Sequence, residues 1–241
     1  MIDIHAHIIP DIDDGASGES DALMMLKMAA DAGTEAMVLT PHFLNERKCR
    51  PFCDKNYIME SFFRIKRLAA ENGIKIKLYP GAEIFAVDNI EDAFADDMII
   101  TLNNSRYILT EFAFSDSVER ALLYIEKLKS MGLIPVIAHP ERYVFAENTP
   151  QPLYSFLEAG CLFQLNKGSI KGKFGRAPMS IARWLLDNGL AHIISSDCHS
   201  PFERTPDMSG EYLWCRKRYS EEYAEMLFHT NAEKIINNVK I

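Results

Sequence analysis

The chain begins MIDIHAHIIPDIDDGA, which places His5, His7, Asp13 and Asp14 within sixteen residues. In an extended strand alternate side chains point to one face, so the two imidazoles of His-Ala-His project together and can hold one ion. Further along come His42 in LTPHF, Glu83 in YPGAEI, Glu111 in RYILTEF, His139 in PVIAHPERY, and Asp197 and His199 in SSDCH. Imidazoles mixed with carboxylates, and no evident thiolate ligand, suit Mn²⁺, Fe²⁺ or Zn²⁺ rather than Mg²⁺ or a soft metal. A tetrahedral catalytic site needs about three protein ligands and an open position. This larger set points to two or three ions. Carboxylates such as Glu83 can bridge neighbouring ions, and a pair about 3.5 to 4 Å apart activates water and clamps an in-line displacement at phosphorus. Hydrolysis of a phosphate ester is the natural reaction. Arg142 follows His139 and Arg204 follows His199 by a few residues, and guanidinium forks match phosphate oxygens. Lys171 and Lys173 in KGSIKGKFG either add charge to the same rim or belong to a surface loop.

These residues converge only if the fold brings them together. Seven short apolar runs, IDIHAHI, TEAMVLT, IKIKLY, RYILTEF, IPVIAH, CLFQLN and AHIISSD, read as buried strands. Between most of them lie amphipathic helical patterns, ESDALMMLKMAADAG, YIMESFFRIKRLAAENG and SVERALLYIEKLKSMG, each closed by glycine. Alternating βα units call for a parallel sheet, and seven strands in one α/β domain predict a TIM-like barrel short of one strand. His5 and His7 then lie on strand one, His42 after strand two, Glu83 after strand three, and Glu111 and His139 at the ends of strands four and five. Gln164 and Asn166 end strand six, and Asp197 and His199 follow strand seven. In such a barrel the C-terminal strand ends share one face, where active sites are built. His192 and His229 lie away from strand ends and read as core histidines.

Composition excludes several classes. With 241 residues and 48% hydrophobic content the chain can bury a sizeable core. A net charge of −8 argues against a general grip on nucleic acid. No signal peptide and no bilayer-spanning run is present, so no membrane insertion and a cytoplasmic location are expected. Five cysteines are too few for a disulfide framework in a chain this long. Cys49 and Cys53 offer a pair without a second pair to complete a metal site. Trp184 and Trp214 read as core or interface residues, and EEYAEMLFHTNAEKIINN as terminal helices.

Together MIDIHAHIIPDIDDGA, LTPHF, YPGAEI, TLNNSRYILTEF, PVIAHPERY and SSDCH resemble the polymerase and histidinol phosphatase (PHP) superfamily. Within it they resemble the bacterial manganese-dependent protein tyrosine phosphatases of capsule and exopolysaccharide loci. The resemblance spans essentially the whole chain. It implies one distorted (β/α)7 PHP barrel over residues 1–241, holding three metal ions, most readily Mn²⁺, with Fe²⁺ or Zn²⁺ as alternatives. It further implies that His5, His7, Glu83 and Asp197 hold the first ion, Glu83, Glu111 and His139 the second, and Asp14, His42 and His199 the third, with Asp13 or Asp11 as substitutes for Asp14. Arg142 and Arg204 match the phosphate-binding positions. The implied partner is a phosphotyrosine protein, the C-terminal tail of a bacterial tyrosine kinase that controls polysaccharide assembly. His199 or Asp197 is a candidate to protonate the leaving group.

Other readings compete. CHSPFERT fits the Cys-x5-Arg-Thr loop of cysteine-based tyrosine phosphatases, but Pro201 lacks a backbone donor and Glu203 repels phosphate. Another PHP phosphoesterase, such as a histidinol phosphatase, would use the same ligands. An amidohydrolase barrel leaves Glu83, Glu111 and His42 unexplained. A non-enzymatic, metal-dependent binding or sensor module would treat the ions as structural, whereas structural sites are normally closed.

Overall fold

In the computed structural model, which describes residues 1–45, 47–49 and 54–241, strands and helices alternate along the chain. The strands are β1 (Ile2–Asp3), β2 (Ala36–Leu39), β3 (His42–Phe43), β4 (Lys77–Pro80), β5 (Glu83–Phe85), β6 (Tyr107–Glu111), β7 (Ile134–Ala138), β8 (Leu162–Asn166) and β9 (Ile193–Ser195). Every pairing is parallel, in the orders β1-β2-β4 and β3-β5-β6-β7-β8-β9. The nine strands come from the seven predicted segments. The second segment is interrupted at Thr40–Pro41, where proline has no N–H to give to a ladder, and resumes as β3. The third is interrupted at Gly81–Ala82 and resumes as β5. His42 and Glu83 therefore sit on strands of their own rather than in the loops expected for them, paired in register with each other.

The first and last strand positions meet. Asp197 N–H donates to the His5 carbonyl at 2.8 Å, and His7 N–H donates to the Cys198 carbonyl at 2.9 Å. Ala6 and Cys198 form a parallel bridge. On the other side of the same segment, Thr40 N–H donates to the Ala6 carbonyl. These bonds complete a circuit of seven strand positions, the distorted α/β barrel expected.

The long helices form where their apolar spacing predicted, at Glu19–Asp31, Lys55–Glu71 and Val118–Ser130. Asp54 and Ser117 cap the second and third by accepting from the N–H groups of Tyr57 and Arg120. Gly33, Gly73 and Gly132 follow the three helices at positive φ, where a Cβ would be strained.

Alternation along the strands sorts the core in two. Met37, Ile108, Ile137, Phe163 and Ile194 belong to the larger cluster, packed with residues of the helices. Their sequence neighbours Val38, Leu109, Val136, Leu162 and Ile193 form a second cluster with Ala232, Ile235 and Ile236 of the terminal helix Asn231–Ile236. That helix packs with the inner apolar residues. His192 accepts from Phe163 N–H at 3.1 Å, and Trp184 and Trp214 lie partly buried against the larger cluster. Both placements agree with core roles. Cys53, the candidate partner of Cys49, lies outside the described residues. No described helix is long and apolar enough to cross a membrane.

Candidate metal centre

The inward face of each strand changes character toward its C-terminal end. On β6 the order is Tyr107, Leu109, Glu111; on β8, Leu162, Gln164, Asn166; from β9 onward, Ile193, Ser195, Asp197. Period-two alternation keeps each trio on one face, so a polar layer follows an apolar one. His139 joins that layer by a different route. It follows Ala138, whose side chain already faces the inner cluster, and a left-handed backbone (φ 36°, ψ 57°) redirects the chain at His139. Asp197 is also left-handed, at φ 48°. For residues other than glycine such conformations are sparsely populated and collect at functional sites.

The polar layer is dense and buried. His5, His7, His42, His139, Glu83, Glu111 and Asp197 are all at most 2% exposed, and His199 is 8% exposed. Three groups of donor atoms fall within metal-binding range of one another: His7, Asp14, His42 and His199; His5, His7 and Glu83; and His42, Glu83 and Glu111. Asp197 Oδ1 lies 3.4 Å from His5 Nε2 and 3.5 Å from His7 Nε2. His139 Nε2 lies 3.1 Å from Glu83 Oε1 and 3.8 Å from Glu111 Oε2. The nine residues singled out as ligands thus share one site. Their grouping differs in detail from the one the resemblance implies. His42 faces both ways, with Nδ1 toward Glu83 and Glu111 and Nε2 3.5 Å from Asp14.

The acidic turn separates the roles of its aspartates. Asp13 accepts from His7 Nδ1 at 2.7 Å, from His42 N–H at 2.8 Å and from Gly15 N–H. It lies behind the His7 imidazole and orients it, and it anchors the backbone at His42. Asp14 is half exposed and faces His42 and His199. Asp11 is exposed at the surface of the turn. The turn closes because Ala16 N–H returns to the His7 carbonyl, and a Cβ on Gly15 would collide with that carbonyl and with His7 Cβ.

The packing of these atoms suits a cation. Glu83 Oε2 lies 2.8 Å from His42 Nδ1, 3.3 Å from His5 Nε2 and 3.4 Å from His7 Nε2. Yet Glu83 Oε2, His42 Nδ1 and His139 Nδ1 are buried without an aligned hydrogen bond. His5 Nε2 and His7 Nε2 point at each other 3.2 Å apart. Buried polar atoms are normally paired, and lone pairs that converge without pairing suit an ion between them. The second layer is in place. His5 Nδ1 meets Gln164 Oε1 at 2.8 Å, Gln164 Nε2 donates to Asn166, and Asn166 Nδ2 donates to Asp197 Oδ2. Such partners fix ligand orientation.

Without cations the charges compensate one another. Burial opposes a charge on Glu83, but the His5 and His42 imidazoles outweigh it and hold the carboxyl well below its usual range. Burial likewise opposes protonation of His42, and the Glu83 carboxylate overrides it, raising the pKa to about 9. The same contest raises His7 well above its usual value, with Asp13 as the main opposing charge. Burial lowers His139 and takes His199 down to about 4.

Both arginines reach the rim. Arg142 Nη1 lies 3.7 Å from Asp197 Oδ2, and Arg204 Nη2 contacts the same oxygen. Lys171 pairs with Glu211 of the helix Ser209–Arg218, and Lys173 Nζ donates to the Glu203 carbonyl, so these lysines tie their loop to neighbouring segments. Sequence reasoning missed Asn45, which donates to Glu111, and Lys48, whose Nζ lies 2.9 Å from His42 Nε2 and 3.3 Å from Glu111 Oε1. Both follow His42 in the loop after a strand, the criterion that found Arg142 and Arg204. It also missed Glu141, buried and accepting from Asn166 N–H and Ser169 Oγ. Adjacent Arg142 drew attention instead.

The family model for capsular polysaccharide synthesis, CpsB/CapC, matches residues 1–237. The tyrosine-protein phosphatase YwqE of Bacillus subtilis is 32% identical over 242 residues, covering 100% of this chain and 93% of that protein. The tyrosine-protein phosphatase CpsB of Streptococcus pneumoniae is 32% identical over 241 residues, with 98% of each covered. A crystal structure from a study of YwqE and CpsB, described as unique metal-dependent tyrosine phosphatases, superposes with TM-score 0.91 over 100% of this chain and 96% of that one, at 32% identity. The lactonase Lmo2620 of Listeria monocytogenes shares the fold, at TM-score 0.62 and 12% identity over 99% of this chain and 95% of that chain.

Proposed function

Because this chain belongs to the CpsB/CapC family of capsular polysaccharide synthesis, we propose that it is a metal-dependent phosphatase of protein phosphotyrosine, acting on the tail of a bacterial tyrosine kinase. The observation that carries the reading is the convergence of five histidines with Glu83, Glu111 and Asp197, all buried, and the half-exposed Asp14, beside two arginines. His5, His7, Asp14, His42, Glu83, Glu111, His139, Asp197 and His199 would hold the cations. Mn²⁺ suits this mixture of imidazole and carboxylate. When bound, such ions supply Lewis acidity and lower the pKa of coordinated water.

The remaining work falls to side chains. Arg142 and Arg204 grip the non-bridging phosphate oxygens and neutralise charge there. Arg204 Nε is buried without an acceptor, a donor left free for an anion. Asp13 fixes the His7 ring and the backbone at His42. Asn166 and both arginines hold Asp197. His199, with its pKa lowered to about 4 by burial and the neighbouring His7, is neutral at pH 7 and free to serve as a ligand. A phenol, with a pKa of about 10, leaves with little help from a general acid.

The test is turnover by the apo protein reloaded with Mn²⁺, using p-nitrophenyl phosphate, a phosphotyrosine peptide and histidinol phosphate. Mn²⁺-dependent release from the peptide, lost in His5→Ala, is expected. Turnover of histidinol phosphate alone would overturn the substrate and leave the site.

A further inference from the structure

Arg142 and Arg204 arrive from different loops, one after β7 and one after β9. The ion-pair partner they share is Asp197 Oδ2. A carboxylate is a poor anchor for a guanidinium that must grip phosphate, because it occupies the same N–H groups and repels the anion. The structure supplies a second anchor of another kind. The Arg142 guanidinium carbon lies 4.7 Å from the centroid of Phe114 and 4.3 Å from that of Phe174, and the Arg204 carbon lies 5.7 Å from the same Phe174 ring. An aromatic face attracts a guanidinium through its quadrupole and leaves the five N–H donors available.

Phe174 is itself held in place. It is half-buried in a loop that folds back on the segment after β8, where Lys173 N–H donates to the Gly168 carbonyl and Gly175 N–H to the Gly172 carbonyl. Its ring lies over Gly168, where an added Cβ would come within 3.0 Å of Phe174 Cε2. The same segment is tethered to the loop that carries Arg204. Lys173 Nζ donates to the Glu203 carbonyl, and Lys167 Nζ donates to the Asp207 carbonyl and to Thr205 Oγ1. The ring is wedged between the two phosphate-facing loops and faces both guanidinium groups.

We propose that Phe174 is a positioning residue that holds Arg142 and Arg204 as one phosphate-gripping pair, with Gly168 as the seat of its ring. The proposal rests on the reading of those arginines as phosphate ligands. Phe174 would act on the phosphate only through those two arginines. Its loss acts through the guanidinium groups and weakens ground-state grip more than the chemical step.

The experiment uses the full chain loaded with Mn²⁺ and inorganic phosphate as the probe. Calorimetry gives the Kd for phosphate, and steady-state kinetics on a phosphotyrosine peptide give KM and kcat. Phe174→Leu keeps bulk and removes the ring face. It is expected to raise the phosphate Kd and KM by about 5- to 20-fold, the size expected for lost cation–π contacts, with a much smaller change in kcat and unchanged metal content. Phe174→Tyr should restore wild-type grip, and Gly168→Ala, which displaces the ring without altering it, should weaken phosphate in the same direction. In an Arg142→Ala/Arg204→Ala background Phe174→Leu should have no further effect on phosphate affinity. Wild-type phosphate affinity in Phe174→Leu, failure of Phe174→Tyr to rescue, or an undiminished loss in the arginine-free background would each overturn the proposal. Absence of phosphotyrosine turnover by the wild type, with phosphate affinity still dependent on Phe174, would instead overturn the substrate reading and support the positioning role.

Discussion

The two ends of the barrel interior are built on the same strands and in the same register, yet they follow opposite rules. At one end Tyr107, Leu109, Val136, Leu162 and Ile193 meet the terminal-helix residues Ala232, Ile235 and Ile236 in an apolar cluster. At the other, two residues further along the same faces, Glu111, Gln164, Asn166 and Ser195 lie beneath the imidazoles, each fully buried. The apolar end gains free energy by leaving water, roughly 25 cal/mol per Å² of apolar surface. The polar end costs free energy to bury and returns it only when charges are paired or ions are bound. The apolar, lower end is therefore a source of stability and the polar, upper end the candidate site. Stability and activity should respond separately to substitutions at Glu83 and Leu109, which pair with each other across β5 and β6.

The largest separation is expected at Glu83. Glu83→Gln removes the carboxylate that faces His5, His7, His42 and His139. Losing partners behind a metal ligand already costs ~10- to 100-fold in affinity or activity, so losing this residue should reduce Mn²⁺-dependent turnover by more than ~100-fold. Atomic absorption should find less metal per chain, while circular dichroism of the apo protein stays that of the wild type. Full activity in Glu83→Gln would mean that the cluster is not the reacting centre.

Leu109→Ala reverses the pattern. Leu109 is fully buried in the apolar end, two residues before Glu111. A cavity there should lower unfolding free energy by about 2–5 kcal/mol, read by denaturant titration. The fraction that remains folded should keep its metal content and kcat. A fall in kcat matching that of Glu83→Gln would show that the two layers are mechanically one.

A subtler distinction is electrostatic. Metal binding at the upper end must displace protons, because in the cation-free site His42 has its pKa raised to about 9 by Glu83 against the opposing effect of burial, and His7 is also raised. Below pH 9 the His42 proton is present before loading and absent after it. Loading should therefore release at least one proton at pH 7.5, and apparent affinity should rise with pH up to about 9, by ~tenfold per unit for each proton displaced. Calorimetric titration of Mn²⁺ in two buffers of different ionisation enthalpy measures the release directly. An identical enthalpy in both would mean that the imidazoles are neutral before the ion arrives.

The sequence made the strand-end histidines and acids legible because period two and the βα alternation are local properties. Tyr107–Leu109–Glu111 and Leu162–Gln164–Asn166 can be read from spacing alone. Spacing could not predict the breaks that give His42 and Glu83 their own strands, since these depend on pairing between chain segments. Nor could it separate Asp13 from Asp14, because the difference is whether a carboxylate lies behind His7 or in front of His199. Phe174 was invisible for a related reason. It is 32 residues from Arg142 and 30 from Arg204, and only the fold brings its ring to both.

The smallest effect expected is at Cys198, and it tests the chemistry most sharply. CHSPFERT has the spacing of a cysteine-phosphatase loop, and Arg204 does face the site. But the residues on either side of Cys198 differ from it in direction. Asp197 and His199 join the polar layer, while Cys198 is fully buried and packs in the outer apolar cluster. Burial and the nearby Asp3 carboxyl push its thiol up to about 12, whereas a nucleophilic cysteine needs a lowered pKa. Alternation along the strand thus turns the sulfur away from the arginines that a thiolate would need. Cys198→Ser puts a small polar group into the outer cluster, so a modest loss of stability, ~1–2 kcal/mol, is expected. Mn²⁺-dependent kcat/KM on a phosphotyrosine peptide should stay within about twofold, the margin left when no transition-state contact is removed. A Cys198→Ser protein that folds, holds its metal and yet fails to turn over would place the reaction at sulfur and assign the buried histidine cluster a supporting role.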